Sequence, residues 1–324
     1  MKIVKTISEL NEIKSGCVLS IGNFDGVHLG HREILKTAKK IAIQKQVQLV
    51  AMTFEPHPVA ILHPEKSPGV LTPLSFKTKL LSDCGVDRLV VLTDSQKLLA
   101  LSPREFVENF LVKYIQPDTV VEGENFNFGY KRAGNIDTLK NLAAEKGFAV
   151  TVVKPKMINL SSGESARVSS TLIRRLLEAG LVADAALGLN RPYRIAGKII
   201  PGRGIGKELG FPTLNMQQPG QIIPAEGVYA GFVQTGRNIE EAFRAKEQFP
   251  AAFSIGKTPT YSDELPLAIE AHLLIENVED LADQYIAMNF IKHIRGQEEF
   301  SSHAKLAEQI KKDCQAIRQI LKVY

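Results

Sequence analysis

The sequence predicts an α/β chain with an N-terminal doubly wound parallel sheet, followed by a small antiparallel β-barrel and a terminal helix. Three observations predict it. From Val18 to Gly180, apolar runs of strand length alternate with stretches of helical period, the pattern of parallel strands joined by crossover helices. Beyond Arg194 the helical period gives way to short strands separated by Gly and Pro. The last segment then carries Leu306, Ile310, Cys314, Ile317 and Leu321 on one stripe. A length of 324 residues suits two domains of ordinary size. The change of pattern divides them into residues 1–185 and 186–324.

In the first half, Val18 to Phe24 reads as a buried strand. The helix after it places Ile34, Leu35, Ala38, Ile41 and Ala42 on one face. Val47 to Phe54 is a nearly all-apolar strand, as expected for one covered on both faces. Glu55-Pro56-His57-Pro58 follows, and its two prolines predict an exposed loop. Leu74 to Cys84 reads as helix and Asp87 to Thr93 as strand. Ser102-Pro103-Arg104-Glu105 is a capping box opening another helix. A strand at Thr119 to Glu122, a polar loop, a helix around Asp137 to Lys146 and a strand at Phe148 to Val153 complete the sheet. Ser169, Ser170 and Thr171 cap a short helix running to Gly180, and residues 181–197 read as a connector.

In the second half, RIAGKII, TLNM, GVYAGFVQT, AAFSIG and LAIEAHLLI read as strands. In the last of these Leu267, Ile269, Ala271, Leu273 and Ile275 share one face, while Glu270 and His272 take the other. Gln284 to Arg295 is predicted to be partly helical. Residues 237 to 250 are longer and more charged than a plain hairpin connection.

Composition excludes several classes. The chain is 44% hydrophobic and 23% charged, as ordinary globular proteins are. It has no apolar run of bilayer length, and MKIVKTISELNEIKSG lacks the regions of a signal peptide. Cys17, Cys84 and Cys314 are far apart and show no metal-ligand spacing, which reads as reduced thiols in a cytoplasmic protein. A net charge of +5 suits anionic substrates and equally a solvated surface. No basic run is dense enough to argue for nucleic acid.

Three stretches carry chemistry. SIGNFDGVHLGHREIL runs from strand through a glycine-broken loop into a helix, with His28 and His31 where loop meets helix. A helix N-terminus offers free N–H groups and a positive dipole end, and two imidazoles there can bond a polyphosphate. Ser169 to Thr171 with Arg174 form a second candidate phosphate clamp, although an ordinary helix cap has the same composition. GRGIGKELGFPTLN, residues 202 to 215, has glycines for close backbone approach and Lys207 for charge. Its Thr213 and Asn215 alternate along an extended segment, and their oxygens suit a Mg²⁺ that also holds phosphates. The Gly-Lys-Ser/Thr ending of a Walker loop is absent.

With both glycine-rich motifs in hand, the chain resembles the bacterial bifunctional riboflavin kinase/FMN adenylyltransferase family over essentially its whole length. GNFDGVHLGH, TFEPHP, FNFGYKRAGN and VSSTLIRRLLEAG resemble the adenylyltransferase module, a Rossmann-like nucleotidyltransferase. GRGIGKELGFPTLN, PAEGVYAG, FSIGKTPTY, IEAHLL and IRGQEEFSS resemble the kinase module. The resemblance implies two reactions. Riboflavin is phosphorylated by ATP to FMN, and FMN is adenylylated by a second ATP to FAD with release of pyrophosphate. It implies Glu270 as the kinase's general base, Thr213 and Asn215 around Mg²⁺-ATP, and Gly204, Gly206 and Lys207 near the phosphates. Arg295 then belongs to the flavin-side segment.

For the second reaction it implies that His28 and His31 stabilise the phosphates, with Asn23 beside them, and that Ser170, Thr171 and Arg174 grip the triphosphate. His57, Pro58 and Asn125 fall on the flavin side. The implied partners are small molecules only, with neither nucleic acid nor membrane, and the chain is expected as a monomer or weak homo-oligomer. Three positions depart from the family pattern. Leu172 stands where the family often has arginine, Ser254 where it usually has asparagine, and Gln297 where it usually has glutamate. The histidine motif alone also permits an adenylyltransferase for another phosphorylated substrate. A flavin- or RNA-binding regulator that has lost turnover is a third reading, which the retained His28, His31, Thr213, Asn215 and Glu270 oppose.

Overall fold

A computed structural model describes residues 1–6, 8–93, 96–202, 204–257, 267–275 and 284–324. The motif residues 258–261, TPTY, lie outside them. The chain forms two compact units. One comprises Met1–Pro68, Phe76–Asn159 and Ser165–Ser169, and the other Gly69–Ser75, Leu160–Glu164 and Ser170–Tyr324.

In the first unit, β1 (Lys2–Val4), β2 (Val18–Ile21), β3 (Leu49–Phe54), β4 (Arg88–Leu92), β5 (Thr119–Gly123) and β6 (Ala149–Val153) build a sheet. Their order is β1-β4-β3-β2-β5-β6 and every pairing is parallel. The chain therefore winds outward from β2 in one direction, then returns to build the other side from β5. β2 is buried at all four positions, because helices cover both faces. On one face, the helix Leu29–Lys45 turns Leu35, Ala38 and Ala42 inward. On the other, Phe106, Phe110 and Leu111 pack with Val50, Val90 and Val120. The capping box at Ser102 is present, with Ser102 N donating to Glu105 Oε2 at 2.8 Å and Glu105 N to Ser102 Oγ at 3.3 Å. The proline-rich loop is shorter than expected, since a helix starts at Pro58 (Pro58–Leu62) with His57 as its cap. A hairpin, β7 (Met157–Asn159) with β8 (Ser165–Arg167), follows the sheet.

In the second unit, β9 (Tyr193–Ile200), β10 (Leu214–Met216), β11 (Gly227–Gly236), β12 (Phe249–Lys257), β13 (Leu267–Leu273) and β14 (Tyr285–Arg295) close an antiparallel barrel in the order β10-β13-β12-β11-β14-β9. Ile269, Ala271 and Leu273 point inward with Tyr229, Phe253 and Phe290, so Glu270 and His272 face out, as the alternation predicts. Two sequence expectations fail here. Gln284 to Arg295 is a strand rather than a partial helix. β14 pairs on both sides, with β9 and β11, and six consecutive positions from Ile286 to Ile291 are buried, which hides the period-two signal. The expected connector contains the helix Val182–Leu189, whose Val182, Ala185 and Leu189 join Ile173 and Leu177 in the core.

The charged segment 237–250 forms a short helix, Ile239–Arg244, capped by Asn238 and burying Ala242 and Phe243. Arg194 ties it to the barrel by donating to the Phe243 carbonyl at 2.9 Å and to Asn289 Oδ1 at 2.5 Å. Burial pulls that guanidinium down to about 10. The terminal helix His303–Leu321 lays Cys314, Ile317 and Leu321 against Val228, Ala230, Leu274 and Ile291. Among the described residues no helix is long and apolar enough to cross a membrane.

Candidate active sites

In the first unit, the chain leaves β2 at Ile21 and enters the helix at Leu29. Between them Phe24 (φ 47°) and Val27 (φ 39°) hold left-handed conformations that non-glycine residues rarely adopt. Both side chains are buried, so packing overrides the local preference. The loop ends with His28 as helix cap, its Nδ1 accepting from His31 N at 3.3 Å. The two imidazoles stack with centroids 3.6 Å apart and planes 15° off parallel. Gly30 makes room for this, because a Cβ there would lie 3.1 Å from the His28 ring. His31 Nδ1 is buried without a hydrogen-bond partner. Burial, then the charges of His28 and Lys77, hold the His31 imidazole well below the usual histidine range.

Asn23 reaches across to His57, their side chains 2.8 Å apart at Nδ2 and Nε2. The same ring accepts from Val59 N through Nδ1 at 3.1 Å. The β2 loop and the loop after β3 are thus joined at the carboxyl end of the sheet, where open α/β sheets bind ligands. Asn125 is exposed, and its carbonyl accepts from Asn127 Nδ2 at 2.8 Å. Lys77 escaped the sequence reading. It is 95% buried on the helix Leu74–Asp83, among Phe76, Leu80 and Leu81, with Glu55 Oε2 at 3.7 Å. A lysine inside an apolar stripe was the available signal.

The second unit holds the other motif residues. Ser170 and Thr171 open the helix Ser170–Glu178, and Arg174 Nε donates to the Gly69 carbonyl at 2.8 Å. Leu172 packs against the apolar core, so this departure from the family pattern contributes to packing.

On the barrel, strand register gathers residues far apart in sequence. Asn215 on β10 opposes Glu270 on β13, and Glu270 opposes Ser254 on β12. Directly opposed residues share a face, with Cβ atoms about 4.5–5.5 Å apart. The row continues through Val228 on β11 to Arg295 on β14. Two places along β13, His272 Nδ1 lies 2.8 Å from the Pro212 carbonyl and its ring meets Phe211 edge-on. That contact pins the segment leading to Thr213 and Asn215. Gly202 leaves the space that the Asn215 amide uses, since a Cβ there would come within 2.1 Å of Nδ2. Gly204 (φ 81°) turns the chain into the short helix Ile205–Glu208, which carries Gly206 and an exposed Lys207. Arg295 is held by the terminal helix, with Nε and Nη2 donating to Asp313 Oδ2 at 3.0 and 2.9 Å. Gln297 donates through Nε2 to Ser254 Oγ at 3.2 Å and to the Ile255 carbonyl at 2.7 Å.

Residues 10–172 match the family model described as FAD synthetase, and residues 189–321 match the one described as riboflavin kinase. A bifunctional riboflavin kinase/FMN adenylyltransferase of Escherichia coli strain K12 is 32% identical over 97% of this chain and 96% of its own length. The chain belongs to the bifunctional riboflavin kinase/FMN adenylyltransferase family. Another member, from Pseudomonas fluorescens, is 33% identical over 98% of this chain and 97% of its own. Among solved structures, one described as a macrolide-efflux protein from Streptococcus pneumoniae superposes with a TM-score of 0.83 at 26% identity, covering 98% of this chain and 99% of that one. As in the family, the FAD synthetase match comes first along the chain and the riboflavin kinase match second.

Proposed function

We propose that this chain phosphorylates riboflavin to FMN with ATP and then adenylylates FMN to FAD with a second ATP, releasing pyrophosphate. The observation that carries this reading is that both family models match in one chain, in order, with relatives aligned over nearly its full length. Residues 1–185 perform the adenylyl transfer and residues 186–324 the phosphorylation. The enzyme acts in the cytoplasm as a monomer or weak homo-oligomer, on small molecules alone.

For the kinase step, Glu270 takes the proton from the ribityl 5′-hydroxyl as that oxygen attacks the γ-phosphorus. Its register partner Asn215 and the nearby Thr213 supply an amide and a hydroxyl oxygen. Both are hard oxygen donors of the kind that fits Mg²⁺. Among the described residues no group of three or more His, Cys, Asp or Glu could hold a metal ion. Thr213 and Asn215 would hold Mg²⁺ together with ATP phosphates, and the ion would neutralise phosphate charge. Gly204, Gly206 and Lys207 surround the same phosphates, and Arg295 steadies the flavin-side segment.

For the adenylyl transfer, the FMN phosphate attacks the α-phosphorus of ATP, and no protein nucleophile is needed. His28 and His31, presented by a helix N-terminus, stabilise the charge that develops on the phosphates. Asn23 positions the loop through His57, and His57, Pro58 and Asn125 serve the flavin side. Ser170, Thr171 and Arg174 are assigned to the triphosphate by their motif alone.

Incubating the purified chain with riboflavin, ATP and Mg²⁺ and following flavins by chromatography tests the proposal. FMN should form first and FAD after it, with pyrophosphate. Unchanged riboflavin would overturn it.

A further inference from the structure

β2 and β5 lie side by side where the strand order reverses, and they do not stay together. Their ladder runs through Val18↔Thr119 and Leu19↔Val120 and then stops. On its other edge β2 remains paired with β3 to the end, Ile21↔Met52. β5 likewise remains paired with β6 to Gly123↔Val153. The sheet therefore splits between β2 and β5 at the carboxyl end, at the topological switch point. A split leaves backbone groups without ladder partners in a dry interior, and each must find another partner.

Ile21 N–H finds it in a side chain, donating to Glu122 Oε1 at 2.5 Å. Glu122 is only 3% exposed. Burial pushes its carboxyl well above the usual carboxylate range, against the smaller opposing influence of the Ile21 N–H and the Ser20 hydroxyl. Among the described residues no lysine or arginine forms an ion pair with it. Ile21 is the last residue before the loop that carries Asn23 and His28. Gly123, beside Glu122, backs onto the helix that follows this loop, since a Cβ there would meet the Ile34 side chain at 3.4 Å.

We infer that Glu122 is a positioning residue for adenylyl transfer: its carboxyl replaces strand pairing at the split and fixes the start of the loop that leads to His28 and His31. A main-chain ladder in this place would close the crevice, and an apolar side chain would leave Ile21 N–H buried and unpaired. Glu122 touches neither nucleotide nor flavin in this account. It acts through Ile21. The inference rests on the proposed FMN adenylyltransferase activity.

The test compares Glu122→Gln, Glu122→Asp and Glu122→Leu with the unaltered chain in two assays, FMN plus ATP and riboflavin plus ATP, alongside melting temperature. Gln keeps an acceptor at the same reach and should hold FAD formation within about threefold. Asp, one methylene shorter, and Leu, with no acceptor, should each lower kcat and raise KM for ATP, with at least a tenfold loss in kcat/KM. Riboflavin phosphorylation should be unchanged in all three, which reports that the rest of the chain is folded. FAD formation by Asp and Leu equal to the unaltered chain would overturn the inference. So would a loss in Gln as large as in Leu, or losses that only track melting temperature. An unaltered chain that makes no FAD from FMN would instead refute the underlying activity.

Discussion

The side-chain amide of Gln297 donates to Ser254 Oγ across 3.2 Å, so two positions that depart from the family pattern are bonded to each other. With the 2.7 Å bond to the Ile255 carbonyl, they dock the segment after β14 onto β12, next to Glu270 in the barrel register. Both bonds use amide hydrogens. In Gln297→Glu a carboxylate would face the Ile255 carbonyl oxygen and that bond would be lost, while the Ser254 hydroxyl can turn to donate to the new carboxylate. At this exposed position the loss amounts to about 1 kcal/mol, or roughly fivefold. We expect KM for riboflavin to rise by that factor while FMN adenylylation is unchanged. Steady-state kinetics on the two substrates checks this, and an unaltered riboflavin KM would show that the docking does not matter to the flavin.

His31 sets a pH dependence of stability. Its imidazole is held well below 6.5 in the folded chain, by burial first and by His28 and Lys77 next. Between that depressed value and 6.5 the unfolded chain binds the extra proton, so stability rises with pH through this window and is lost on acidification. The melting temperature should fall from pH 7 to pH 5, and His31→Gln should flatten the slope. Identical slopes would reject the assignment.

Glu122 acts in the opposite direction. Its folded-state value is raised well above 4.5, so the folded chain holds a proton that the unfolded chain releases. Stability from this group is full below 4.5 and declines as pH rises toward the folded value. Glu122→Gln, which cannot ionise, should gain in melting temperature relative to the unaltered chain as pH increases from 5 to 8. A constant difference across that range would contradict the buried-acid reading.

The cysteines differ in reach. Burial pushes the Cys17 thiol up to about 12 and the Cys314 thiol up to about 11, and both side chains are buried. Cys84 is half-buried. Brief alkylation of the native chain at pH 8 should label Cys84 first, as read by peptide mass spectrometry, because thiolate fraction and access set the rate.

Much of this molecule was legible in the chain itself, for identifiable reasons. The first sheet announces itself because β2 and β3 are covered on both faces and read as apolar runs between strong caps such as Ser102. Glu270 and His272 were placed on the outer face because β13 alternates strictly. β14 was misread because burial on both sides removes alternation, and the helix Val182–Leu189 because its apolar residues follow directly on another helix. Lys77 and Glu122 were invisible as functional candidates. A charged residue in an apolar run acquires meaning only when topology shows what it faces: for Lys77 the Glu55 carboxylate, for Glu122 a strand end without a ladder partner. The Ser254–Gln297 pair was legible only as two separate oddities, since 43 residues separate the two side chains that the fold brings together.

Each candidate site carries one reaction, and the products of two single variants test that most directly. Given riboflavin, ATP and Mg²⁺, His28→Ala should accumulate FMN and form no FAD. Glu270→Ala should leave riboflavin untouched yet convert supplied FMN to FAD at the unaltered rate. Chromatography of these three reactions shows whether each variant loses one step alone, as predicted; loss of both steps in either properly folded variant, or of neither, would contradict the assignment.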